Sequence, residues 1–120
     1  GWEYVNAQGQ VMFSQYYPSG TTGVVKAYVI DDPDVLFQAQ LDGSGAQTIL
    51  GTNTFFAAAQ STSTGSTTTG NSTSALESTV VTTTAAFRIV GIVSPAGDAF
   101  ADVLVKFNPG YHSLTNAVGL

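Results

Sequence analysis

An all-β fold is predicted by three observations. Residues 35–41 alternate strictly, with Val35, Phe37, Ala39 and Leu41 on one side and Leu36, Gln38 and Gln40 on the other. That period of two belongs to a half-buried strand. Ahead of it stands Asp31-Asp32-Pro33-Asp34, where a fixed proline φ and short acidic side chains favour a tight reversal between two strand-forming runs. Further runs of β-branched and aromatic residues recur at close spacing, bounded by Gly, Pro, Asn and Asp. About seven short strands are expected, arranged as a small antiparallel sandwich or barrel with one long Ser/Thr/Gly-rich loop.

Each element follows in order. Trp2 to Val5 and Gln10 to Gln15 read as strands joined by a turn at Asn6-Ala7-Gln8-Gly9, whose Asn and Gly suit positive φ. Residues 16–23, beginning Tyr16-Tyr17-Pro18, read as a loop, because proline cannot donate to a ladder. Val24 to Ile30 is the next strand, then the acidic turn, then Val35 to Leu41. Ala46 to Leu50 reads as a short helical turn stopped by Gly51. Phe55 to Ala59 is apolar but too short to classify. Residues 61–74 are nearly all Ser, Thr and Gly and bury little, so a flexible or extended loop is expected. Thr79 to Thr84 leads towards a strand at Phe87 to Val93, with Phe87, Ile89 and Gly91 sharing a face. Asp102 to Asn108 closes the pattern, with Val103, Val105 and Phe107 on one side and Leu104 and Lys106 on the other. Pro109-Gly110 breaks it, and residues 111–120 form a tail.

A chain of 120 residues is expected to be a single β domain. It opens on Gly1, not Met, and enters strand-forming residues at once, which suggests that the parent protein has a further N-terminal segment. Hydrophobic content is 43% but charged content only 9%, so Ser, Thr, Gln, Asn and Gly must build much of the surface. Such a surface suits a chain docked in an assembly or exposed outside a cell. Eight acids against three bases, Lys26, Arg88 and Lys106, give a net charge of −5. That argues against nucleic-acid backbones and anionic membranes as partners, since both require clustered cations. The absence of cysteine excludes disulfides, thiolate metal sites and cysteine nucleophiles. No apolar run approaches the roughly 20 residues of a membrane helix.

Chemistry-bearing motifs are sparse. Asp31, Asp32 and Asp34 offer oxygen ligands for calcium, but the spacing lacks the EF-hand pattern and turn chemistry accounts for them better. His112 is the only histidine, and no Gly-x-Ser-x-Gly elbow accompanies it, so a solvated or interface histidine is preferred to a catalytic one. Glu3, Glu77, Asp98 and Asp102 could be paired for glycoside hydrolysis, yet surface carboxylates are the default. The glycines at 65 and 70 lack the Gly-Lys-Ser/Thr of a phosphate loop, and Asn71-Ser72-Thr73 matches a glycosylation pattern common by chance in such a tract. No catalytic, metal or cofactor residue is assigned. Trp2, Tyr4 and Phe13 are expected in the core. Tyr16 and Tyr17 cannot both point inward if extended, so the Tyr16-Tyr17-Pro18 loop is the foremost contact candidate.

Four stretches together resemble small head-associated structural proteins of tailed bacteriophages. They are Trp2-Glu-Tyr-Val with Gln10-Val-Met-Phe-Ser-Gln-Tyr-Tyr-Pro18; Lys26-Ala-Tyr-Val-Ile-Asp-Asp-Pro-Asp-Val-Leu-Phe-Gln-Ala-Gln40; Phe87-Arg-Ile-Val-Gly-Ile-Val93; and Val103-Leu-Val-Lys-Phe-Asn108. The likeness spans most of the chain, and the Asp-Asp-Pro-Asp turn and the Arg-Ile-Val-Gly-Ile strand are its most specific parts. It implies a non-enzymatic decoration, or cement, protein on the outer surface of an icosahedral capsid. Its partners would be the major capsid protein and copies of itself. Contacts are expected from Tyr16, Tyr17, Pro18, the Ser/Thr-rich loop, and Tyr111 and His112 of the tail. A tail or baseplate component is the nearest alternative. A secreted carbohydrate-binding module, with Trp2, Tyr16 and Tyr17 stacking on sugars, is an alternative of another class, and a hydrolase using His112 is a remote third.

Overall fold

Asn6 organises the first hairpin. Its side-chain oxygen accepts from the backbone N–H of Gln8 and Gln10 at 3.0 and 2.9 Å, and its own N–H donates to the Gln10 carbonyl at 2.9 Å. Gly9 supplies the positive φ, +80°, that the reversal needs. The turn joins β1 (Trp2–Val5) to β2 (Val11–Ser14), and β3 (Val25–Ala27) pairs on the other side of β1. The computed structural model describes residues 1–18, 21, 23–57, 65–66, 68–95 and 97–116. Among them are seven strands in two antiparallel sheets, β2-β1-β3 and β4-β7-β6-β5, so the chain is all-β as its patterning predicts. Neither sheet closes into a barrel.

The contacts divide into two compact units. The first is Gly1–Asp31 with Ser63–Thr73, and the second is Asp32–Thr62 with Ser74–Leu120.

The second unit holds the core. β4 (Phe37–Gln40) pairs β7 (Asp102–Phe107) in register, β7 also pairs β6 (Phe87–Ile92), and β5 (Asn53–Thr54) lies beyond β6. The predicted alternation holds: Leu41 is buried and Val35, Phe37 and Ala39 half-buried, while Leu36, Gln38 and Gln40 are exposed. One cluster joins Leu41, Ile49, Leu76, Phe87, Ile89, Ala101, Val103 and Val105. The 3-10 turn Gln47–Ile49 delivers Ile49 to it, and Gly51 follows at φ +80°. Leu76 forms bridges with both Leu41 and Phe56, so one short segment hydrogen-bonds beside each outer part of this sheet.

The structure corrects two strand expectations here. The register shifts between Ile89 and Gly91, and such a bulge leaves one extra residue and reverses the face of those after it. Gly91 therefore stands opposite Leu104 and does not share the face of Phe87 and Ile89; Ile92, opposite Val103, packs on the core instead. In the first unit, the run expected over Val24–Ile30 pairs only at Val25–Ala27 and through reciprocal backbone bonds between Gly1 and Tyr28. Pairing with β1 ends there, and Val29 and Ile30 are exposed.

Candidate interaction surface

The first unit is a sheet without a core: none of its described residues is buried. The hairpin turn places Trp2, Glu3, Tyr4 and Val5 opposite Ser14, Phe13, Met12 and Val11. β3 places Ala27, Lys26 and Val25 opposite Trp2, Glu3 and Tyr4. Side chains alternate along each strand, so Trp2, Tyr4, Met12 and Val25 share one face, and Glu3, Val5, Val11, Phe13 and Lys26 share the other.

The Trp2 face is partly covered from within the unit. The Tyr17 ring meets Trp2 edge-on, with centroids 5.2 Å apart. Tyr16 lies against Gly70, where a Cβ would fall 2.2 Å from the ring. Gly70 itself belongs to a tight turn in which Ser66 N–H donates to Asn71 O and Gly70 N–H to Ser66 O, each at 2.8 Å. Part of the expected long loop is thus a hydrogen-bonded turn under Tyr16; residues 58–64 and 67 lie outside the described residues.

The opposite face is open. Phe13 is 72% exposed, Val11 57% and Val5 41%, and Tyr28 is 58% exposed beside them. This corrects the placing of Trp2, Tyr4 and Phe13 in a core: Trp2 and Tyr4 are only half-buried, and Phe13, whose register partner is Glu3, points away from both. At the centre, the Tyr28 hydroxyl donates to Glu3 at 2.7 Å and Lys26 stands 3.5 Å from the same carboxylate. The Tyr28 bond, then Lys26, holds the Glu3 carboxyl below its ordinary value, and the same bond raises the Tyr28 hydroxyl. The surface is an apolar ring around a neutralised polar centre. A shallow cleft of about 250 Å³ opens at its Gly1 end, bordered by Trp2, Phe13 and Tyr28.

Of the residues named from sequence, Tyr16, Tyr17 and Pro18 belong to the first unit and Tyr111 and His112 to the second. Tyr16 and Tyr17 are both partly exposed, as their adjacency requires, and Pro18 is half-buried. Tyr111 is half exposed and meets Phe55 edge-on. His112 is not a solvated tail residue. It is buried, its ring lies 6.0 Å from Phe107, and its Nδ1 accepts from Leu114 N–H, capping the 3-10 turn Ser113–Thr115. Burial against Phe107 and that local bond explain the correction. Residues 117–120 of the tail lie outside the described residues.

Sequence reasoning passed over Val5, Val11 and Tyr28 as surface residues. The observed register needs a reversal over residues 6–10, which pairs Glu3 with Phe13; the four-residue turn read from sequence, 6–9, would have set Phe13 opposite Trp2 on the other face.

The acidic turn is an Asx turn. Asp34 N–H donates to Asp32 Oδ1 at 2.8 Å, and the Asp34 carboxylate pairs with Lys106. Among the described residues, no group of three or more His, Asp or Glu side chains is arranged to hold a metal ion. No described helix is long and apolar enough to cross a membrane. Comparison with protein-family models, curated proteins and solved structures found no match.

Proposed function

We propose that this chain is a non-enzymatic virion structural protein that decorates the outer surface of an icosahedral phage capsid, bridges major capsid subunits and associates with copies of itself. One observation carries the docking part of this reading: the β2-β1-β3 sheet has no buried residue and turns Val5, Val11, Phe13 and Tyr28 outward on one face. Three strands are stable when a hydrophobic face is covered. Covering one large apolar side chain is worth about 2–3 kcal/mol, so a partner that seats on this face completes the sheet. The phage assignment comes from the sequence resemblance, above all the Asp31-Asp32-Pro33-Asp34 turn and the Arg88-Ile-Val-Gly-Ile92 strand. A surface with few charges, repeated over a shell, gains its hold by many modest contacts.

The carbohydrate-binding alternative draws no support from Trp2 and Tyr17. Their planes cross at 82°, so the two rings do not form one flat platform for a sugar.

Co-sedimentation with purified particles lacking the protein tests the proposal. Saturable, stoichiometric binding that raises the particle's resistance to heat is expected, and Phe13→Ser should weaken it at least tenfold while the free protein melts as before. Folded protein that fails to bind would sink the external-decoration reading.

A further inference from the structure

The cations of the second unit form a site that the docking face does not use. β6 and β7 place Arg88 directly opposite Lys106. Like charges in that position repel, and the chain is acidic overall, so their pairing calls for an anion. Lys106 has one in Asp34, on the turn before β4. Arg88 has none among the described residues. Its Nε donates to Asn53 Oδ1 at 3.3 Å, and that oxygen also accepts from Asn108 Nδ2 at 3.0 Å. Asn53 and Asn108 are both 7% exposed, so the arginine is anchored at its Nε on a buried amide pair. Among the described residues its two terminal nitrogens have no hydrogen-bond partner. Arg88, Lys106, Asp34, Pro33 and Val90 line one cleft of about 280 Å³.

We infer that this cleft is a carboxylate-binding site, with the Arg88 guanidinium as its fork and Lys106 as a second charge partly occupied by Asp34. The planar fork matches a carboxylate through two parallel N–H bonds. Anchoring of Nε limits the freedom that binding would otherwise remove. Two positive groups against one negative leave the cleft with a single net positive charge, enough to prefer an anion yet screened by salt. The carboxylate comes from an acidic side chain of a docked protein or from a free small acid. The site is independent of the capsid reading.

The test is an NMR titration of the ¹⁵N-labelled protein at low ionic strength. It follows the Arg88 Nε–H and the Lys106 and Val90 amides. The probes are citrate and a hexapeptide of alternating Glu and Asp. Saturable shifts at these groups are expected. The two substitutions should act in opposite directions: Arg88→Gln should weaken binding roughly three- to tenfold, and Asp34→Asn, which frees Lys106, should tighten it by a similar factor. Both side chains are exposed, and a thermal melt of each variant confirms folding. Tighter binding of the peptide than of citrate supports a protein side chain as ligand; equal or tighter binding of citrate supports a free acid. Unsaturable shifts with both probes, unchanged affinity in Arg88→Gln, or weaker binding in Asp34→Asn would overturn the site.

Discussion

Asn53 and Asn108 are neutral amides in an apolar surrounding, and such groups persist only when bonded. Asn108 Nδ2 donates to Ala85 O at 2.8 Å as well as to Asn53 Oδ1, and Asn53 Nδ2 donates to Thr83 O at 2.8 Å. The pair ties the segment before β6 to the end of β7. Asn108→Ala leaves the Ala85 carbonyl short of a donor and should cost about 1–3 kcal/mol in denaturant unfolding. The carboxyl groups set the acid limit. Glu3 lies below 4.5 through Tyr28 and Lys26, Asp34 below 3.8 through Lys106, and Asp42 below 3.8 through the Ser78 hydroxyl and N–H. A depressed folded value contributes stability that is complete above the unfolded value and lost as pH falls through the folded one. Tyr28 is raised above 10.0, so its contribution is complete below pH 10 and lost as pH rises through the raised value. The melting temperature should therefore hold from about pH 5 to 9 and drop on either side, chiefly below pH 4. Glu3→Gln should reduce the alkaline drop, and a pH series of melts for both chains checks it.

The elements show which signals a sequence carries. The faces of β4 and β7 were legible, because each alternates over several residues and buries one side. The length of β3 was not, since propensity favoured Val24 to Ile30 but only β1 could supply partners. The bulge in β6 was equally hidden: it depends on how β7 pairs, and nothing in Arg88-Ile-Val-Gly-Ile92 distinguishes it from a regular strand. Phe13 was placed on the wrong face because the reversal takes in Gln10 as well as residues 6–9, and that one residue moves every side chain of β2 to the opposite face. Leu76 escaped notice because its two bridges join residues remote in sequence. His112 was misread for the same reason, as its burial depends on Phe107. Two substitutions test the elements directly. Ile89→Ala, fully buried between β5 and β7, should cost about 2–5 kcal/mol. Gly70→Ala should cost about 1 kcal/mol or more, because φ is +73° and the new methyl would displace Tyr16. Near-ultraviolet circular dichroism should report the lost tyrosine packing.

At the scale of the whole molecule, burial is unevenly divided. Every buried side chain among the described residues lies in the second unit, and the first contributes a sheet whose apolar face is open. Local stability follows burial, so β6 and β7 should exchange their amides slowly while β1, β2 and β3 exchange near the fast end. The proposed docking requires that a partner complete this sheet. The most direct test is hydrogen–deuterium exchange by mass spectrometry, on the free protein and on the protein bound at saturation to particles that lack it. Fast exchange across β1, β2 and β3 is expected in the free chain and marked slowing there on the particle, with little change in β6 and β7. A sheet already as protected as β6 and β7 when free, or one whose exchange is unaltered on the particle, would contradict it.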